Sequence, residues 1–148
     1  MRRLSRRGLL SVGIAVCALP LSLATARAAR LLFAGPGAIE LSAGATHIQL
    51  IGTSDEQRPR SDRTLLRLDG LSARRAPGVV YGVYLNGMRC AGRLGFDGGT
   101  RSFDVTTLLR DLERAGPVGD RLVVSLVPDG APDPRAAPRI GGLYLLAA

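Results

Sequence analysis

Val79-Val80-Tyr81-Gly82-Val83-Tyr84-Leu85, followed by Asn86-Gly87, is the stretch that decides the fold class. Valine and tyrosine suit a pleated, half-buried surface, so the run predicts a strand over 79–85. Asn-Gly is a dipeptide that hairpin turns favour, because both residues tolerate the left-handed backbone conformation. Working outward, Gly and Pro punctuate a series of short apolar segments, as in an all-β chain. Ala38–Leu41 and Thr46–Ile51 are short strand candidates, and Thr64–Leu71 alternates in part, with Leu66 and Leu68 set against Arg67 and Asp69. Ala91–Phe96 and Arg101–Val105 flank Asp97-Gly98-Gly99-Thr100, which predicts a second hairpin. Leu122–Val127 reads as a buried strand ended by Pro128-Asp129-Gly130, and Ile140–Leu146 closes the chain. Arg58–Arg63 is polar and reads as a loop, and Ser72–Gly78 as a turn-rich link.

One segment follows another period. Leu108, Leu109 and Leu112 fall on one helical face, Thr106 or Thr107 can cap its start, and Gly116-Pro117 stops it. The expectation is an all-β domain, a small β-sandwich or jelly roll of about seven strands with one short helix.

The chain has 148 residues, 20 of them basic, 12 acidic, and a formal charge of +8. All the basic residues are Arg, and Arg2, Arg3, Arg6, Arg7 and Arg27 precede Ala29, where no acid lies. Residues 29–148 therefore carry only +3, too little and too scattered for a nucleic-acid footprint. The uneven charge belongs to an N-terminal address. Met1–Arg7 is basic, Leu9–Leu23 is apolar and uncharged, and Ala24-Thr25-Ala26 and Ala26-Arg27-Ala28 are small-x-small cleavage sites. The apolar run is short of the roughly 20 residues a bilayer span needs, and Pro20 interrupts it. Residues 1–28 are thus expected to be a removable export signal, leaving no stable membrane insertion, with 29–148 as one domain. Ser5-Arg6-Arg7-Gly8-Leu9-Leu10 resembles the twin-arginine motif, with Arg6 and Arg7 as its signal pair, so the twin-arginine translocase is an expected partner. That route exports folded proteins to the periplasm or beyond. Cys17 lies in a poor lipobox, because Val16 occupies a place that needs a small residue.

No catalytic constellation is legible. A single His cannot supply a metal centre built from several imidazoles, and one Cys beyond residue 28 excludes an internal disulfide framework. His47 lies in an apolar stretch and reads as a structural strand residue, since a general base also needs a nucleophile and an orienting group. Acids stand singly beside Arg, as solvated ion pairs do. Met88 and Cys90 are soft donors suited to Cu(I), and positions i and i+2 share one side of a straight strand. With His47 they form a candidate metal set, for transient copper at most. Against it, no further Cys, Met or His is near in sequence, and a buried Cys also serves as a small hydrophobe.

From about Leu65 to Leu145 the chain resembles the small C-terminal domain of plant-type polyphenol oxidases, the tyrosinase relatives. Val80-Tyr81-Gly82-Val83-Tyr84-Leu85-Asn86 is similar to the family's Lys-Phe-Asp-Val-Tyr-x-Asn strand, and Cys90-Ala91-Gly92-Arg93-Leu94 to its Phe-Ala-Gly-x-Phe. Phe103-Asp104-Val105-Thr106-Thr107-Leu108-Leu109-Arg110-Asp111-Leu112 resembles its Ile-Thr-Asp-Leu-Leu-Glu-Asp-Leu segment. Leu122-Val123-Val124-Ser125-Leu126-Val127-Pro128 and Ile140-Gly141-Gly142-Leu143 resemble its Val-Leu-Val-Thr-Leu-Val-Pro and Ile-Gly-Gly-Ile ending. Val80 and Gly82 replace the family's Lys and Asp, the loop from Asn86 to Cys90 is shorter, and Cys90 stands where the family has Phe.

The resemblance implies a β-sandwich that covers a dicopper site, here on a separate exported chain that resembles the "caddie" partners of some bacterial tyrosinases. It implies a non-catalytic role with a tyrosinase-like dicopper oxidase as partner and no resident cofactor. Asn86, Gly87, Met88 and Arg89 form the candidate contact loop, because Met and Arg anchor interfaces; Tyr81, Tyr84 and Tyr144 are further candidates. Two other readings stay open: a copper-delivery protein acting through Met88 and Cys90, and a free-standing exported binding module.

Overall fold

The computed structural model describes residues 29–53, 63–87 and 89–148. The expected signal with its Arg6-Arg7 pair, the polar loop at 58–62 and Met88 lie outside the described residues. Ten strands and one helix follow in order: β1 (Arg30–Ala34), β2 (Ile39–Glu40), β3 (Thr46–Gly52), β4 (Thr64–Leu71), β5 (Tyr81–Leu85), β6 (Arg89–Leu94), β7 (Gly99–Asp104), α1 (Thr106–Ala115), β8 (Arg121–Pro128), β9 (Arg139–Ile140) and β10 (Gly142–Ala147). Eight of these form one antiparallel sheet in the order β6-β5-β8-β3-β1-β10-β4-β7, and β2 pairs with β9. The sheet curls until it is nearly closed, an all-β fold consistent with the expected sandwich, with one curled sheet forming both layers.

Alternation explains the curl. Leu66 and Leu68 in β4, Tyr81, Val83 and Leu85 in β5, and Leu143 and Leu145 in β10 all point inward and are buried. They meet Ile48, Leu50, Leu122, Val124 and Leu126 from β3 and β8 in one interior cluster. The predicted helix forms over the expected residues. Leu112 is buried, Leu108 and Leu109 pack against the cluster, and Gly116 ends the helix by donating its N–H to the Leu112 carbonyl at 3.1 Å.

Four local readings change. β1 was not among the expected strands, yet it sits mid-sheet between β3 and β10. Its register shifts between Leu31 and Phe33, so the apolar run Leu31-Leu32-Phe33 lacks the alternation that marks a strand. The Asp97–Thr100 hairpin is not a hydrogen-bonded one: β6 pairs only with β5 and β7 only with β4, and the turn joins opposite edges of the sheet. The closing strand is split at Gly141, whose N–H donates to the Asp69 carbonyl at 2.8 Å. The helix has Val105 at its N-cap, without a side-chain cap. The Thr106 hydroxyl instead accepts the Thr64 N–H at 2.8 Å, tying the helix start to β4, while Asp104 accepts the Thr106 N–H at 3.1 Å and hydroxyl at 2.6 Å.

Across the seam, the Phe103 ring lies on Gly92. A Cβ on Gly92 would stand 2.5 Å from two ring carbons, so only glycine admits this contact. An aromatic ring laid over a glycine therefore does at the seam what a hydrogen-bonded ladder does elsewhere in the ring.

Candidate functional site

The antiparallel register places the candidate residues. α1 and the Asn86–Arg89 turn lie at one end of the barrel, beside the start of β8; the β2–β9 ribbon lies at the other. Asn86 and Gly87 have φ of 48° and 68°, the left-handed region such a turn requires. Asn86 also holds the turn in place. Its N–H donates to the Val123 carbonyl at 2.7 Å, and its amide oxygen accepts the Val123 N–H at 2.9 Å. Gly87 is exposed and the Arg89 backbone opens β6. The turn is thus tied at its base to β8, at the end of the barrel that also carries α1.

His47, Ser125, Tyr84 and Cys90 occupy one cross-strand row, because His47 faces Ser125, Ser125 faces Tyr84, and Tyr84 faces Cys90. His47 Nδ1 and the Ser125 hydroxyl share a hydrogen bond of 2.7 Å. Three strand spacings separate the ends of the row, about 14 Å, so His47 and Cys90 are not brought together around one ion. Cys90 is exposed rather than buried, and its thiol donates to the Gly92 carbonyl at 3.2 Å. The register shift on β6 at Ala91 breaks the alternation between Cys90 and Gly92. Among the described residues no three His, Cys, Asp or Glu side chains cluster as metal ligands.

The three tyrosines divide. Tyr81 is fully buried, its ring edge-on to Phe96 at 5.3 Å, and its hydroxyl has no partner. Burial pushes its pKa up. Tyr84 and Tyr144 face outward, half-buried, each lying over the glycine two residues before it, Gly82 and Gly142. A feature the sequence reading missed is a shallow open groove at the β2–β9 end, between Ala76–Val80, Phe96, Asp97 and Asp129. Both groove carboxylates are engaged: Asp129 accepts from Arg93 and from the Val80 N–H, each at 3.0 Å, and Asp97 pairs with Arg101. The groove holds no free charge with which to orient a polar ligand.

These features define a class: a curled antiparallel barrel with one helix, a fold shared with part of solved polyphenol oxidases. The particular neighbours bear this out. The chain superposes on a recombinantly expressed latent aurone synthase (polyphenol oxidase) with a TM-score of 0.53 and 14% identity, over 74% of this chain and 25% of that one. The latent apple tyrosinase gives 0.52 and 20% identity, over 75% and 27%. Latent aurone synthase from its natural source gives 0.51 and 13%, over 74% and 26%. The chain thus spans about a quarter of the length of these structures, and at such identities the likeness is one of fold. No family model and no curated protein matches the sequence.

Proposed function

We propose that this chain is a non-catalytic, exported partner of a tyrosinase-like dicopper oxidase. It covers the enzyme's active site, assists its maturation, or carries it through the twin-arginine route. The observation that carries this reading is that 74% of the chain matches one quarter of a polyphenol oxidase described as latent. The match covers one quarter of such an enzyme, and we assign the catalytic part to a partner chain. The Asn86–Arg89 turn is the element we assign to a partner's cleft, since Asn86 anchors it to β8 and Gly87 is exposed. Met88 and Arg89 are the anchor types that interfaces favour.

The test is co-expression with the tyrosinase-like enzyme of the same organism, followed by pull-down, copper analysis and a diphenol oxidase assay. The expected result is a stable complex that is latent and gains activity on mild proteolysis, or an enzyme that is copper-loaded only when this chain is present. A Met88→Gly/Arg89→Ala variant should release activity while the complex persists. If no complex forms and copper content is unchanged, the reading is wrong. Copper delivery through Met88 and Cys90 remains the second reading. The exposed thiol of Cys90 leaves it accessible to a metal ion, and Cys90→Ser would abolish delivery but leave shielding intact.

A further inference from the structure

At the β2–β9 end, residues 72–80 run antiparallel to residues 129–139, and backbone hydrogen bonds tie the two along their length. Ser72 and Arg139 exchange N–H···O bonds of 3.0 and 2.8 Å. The Arg74 N–H donates to the Ala136 carbonyl at 2.7 Å, the Asp133 N–H to Pro77 at 2.8 Å, and the Asp129 N–H to Val80 at 2.9 Å. Pro77, Pro134 and Pro138 restrict the backbone of the same strip. Its surface is therefore preformed, which spares a ligand the cost of ordering it.

The strip joins two kinds of surface. One half is the groove, about 440 Å³, walled by Pro77, Val79, Val80 and Phe96. The other half is basic, with Arg74, Arg135 and Arg139 all exposed. Arg63, Arg67, Arg93, Arg101 and Arg114 each lie against a carboxylate. Among the described residues no carboxylate stands within ion-pair distance of Arg74, Arg135 or Arg139. Asp133 is engaged by Arg75 at 3.8 Å and by the Arg135 N–H at 2.8 Å, and Glu40 faces Arg139 across the ribbon without pairing.

Shape and charge choose the occupant. A shallow, open groove does not enclose a small molecule as ligand pockets do, whereas an extended chain needs no enclosure. The groove carboxylates do not repel an acidic chain, because Arg93 neutralises Asp129 and Arg101 neutralises Asp97. Guanidinium groups without an internal partner are matched to carboxylates, which they can hold with two parallel hydrogen bonds. Arg74 to Val80 spans at most about 20 Å, the length of an extended hexapeptide. We infer that the strip binds an extended acidic peptide segment of another protein, its acids on Arg74, Arg135 and Arg139 and an adjoining apolar side chain in the groove beside Val80 and Phe96. This surface lies at the opposite end of the barrel from the Asn86–Arg89 turn and does not rest on the oxidase reading.

The isotope-labelled full chain, followed by amide NMR, tests it with the peptide Glu-Asp-Glu-Gly-Leu-Phe and with the reversed sequence. One of the two should shift the amide signals of Arg74, Val79, Val80 and Ala136 saturably and leave Thr107 and Arg110 on α1 unmoved. Replacing the peptide's acids by Gln and Asn should raise Kd at least about threefold, the effect of losing two exposed ion pairs. Arg74→Ser/Arg135→Ser should do the same, and Val80→Ser should also weaken binding by removing apolar contact. The peptide-side change keeps the test valid where a variant folds poorly. Neither peptide moving the strip, equal shifts on α1, an amide peptide that binds as tightly, or a Kd indifferent to Val80→Ser would each overturn the inference. Because no oxidase is present, failure here and failure of the partner reading are separate results.

Discussion

The ring of strands is closed in two different ways. At β1 the closure is a ladder: the strand hydrogen-bonds to β10 on one side and β3 on the other, with Phe33 buried beneath it. At the β6–β7 seam no ladder forms, and the Phe103 ring resting on Gly92 brings the edges together. A ladder uses the N–H and C=O that nearly every residue carries, so β1 tolerates an irregular register and an unremarkable sequence. The seam depends on one absent Cβ. Closure by backbone is robust to substitution but demands a well-filled interior; closure by a side chain is local and can be broken at a single position.

The largest effect is therefore expected beneath the ladder. Leu50 lies in β3 beside β1 and is fully buried, so Leu50→Ala should cost about 3 kcal/mol, within the usual 2–5 for buried leucine. Urea denaturation measures it; a loss below about 1 kcal/mol would mean the interior there collapses freely and the contrast with the seam is lost. The seam comes next. Gly92→Ala puts a methyl group into the Phe103 ring, an overpacking that should cost about 1–3 kcal/mol. Adding Phe103→Ala removes the clash, so the double variant should be more stable than the two single losses added together. Strict additivity would show that the ring is not what closes the seam.

The same contrast explains what was legible in the sequence. β4 and α1 were readable because each writes its buried face as a period, with Leu66 and Leu68 or Leu108, Leu109 and Leu112 as the marks, and β3, β5 and β8 because they are short apolar or Val/Tyr-rich runs between turn residues. β1 was not, because its register shift erases the period. The seam was not, because a turn with two glycines looks the same whether its flanking strands pair with each other or with distant ones. The exposed position of Cys90 was hidden for a similar reason, since the register shift on β6 is set by pairing with β5 and not by local residues. The Asn-Gly turn was legible, but its attachment to Val123 was not, because that hydrogen bond spans 37 positions.

A smaller effect, of opposite sign, lies inside the barrel. The buried Tyr81 hydroxyl lacks a partner, so Tyr81→Phe should stabilise the fold by about 1 kcal/mol, the cost such a group imposes. Its pH dependence sharpens the test. Burial raises the Tyr81 pKa in the folded state, while the unfolded phenol ionises near its usual value of about 10. Above that value the unfolded chain binds fewer protons than the folded one, so stability contributed by the neutral phenol falls as pH rises. Tyr81→Phe removes this alkaline loss. A variant less stable than the parent would reveal a partner for the hydroxyl and make this end of the barrel as tightly built as the ladder side.

The smallest expected effect sits at the edge strand and is visible only in its pH profile. The Thr106 hydroxyl and N–H, together with Arg63 at 3.1 Å, hold the exposed Asp104 carboxyl below the ordinary carboxylate range. A folded-state value lower than the unfolded one means that the carboxylate stabilises the fold above the unfolded value. That contribution disappears as pH falls through the folded value, because protonation then costs the same in both states. Asp104→Asn keeps an acceptor for Thr106 but removes the charge, so parent and variant should differ at neutral pH and converge in acid. Unfolding temperatures measured from pH 7 down to about 2 check this. A gap that persists unchanged in acid would mean Asp104 acts through hydrogen-bond geometry alone. The link between β7 and α1 would then resemble the ladder at β1, held by polar backbone partners, more than the charge-assisted corner that the Arg63–Asp104–Thr106 contacts describe.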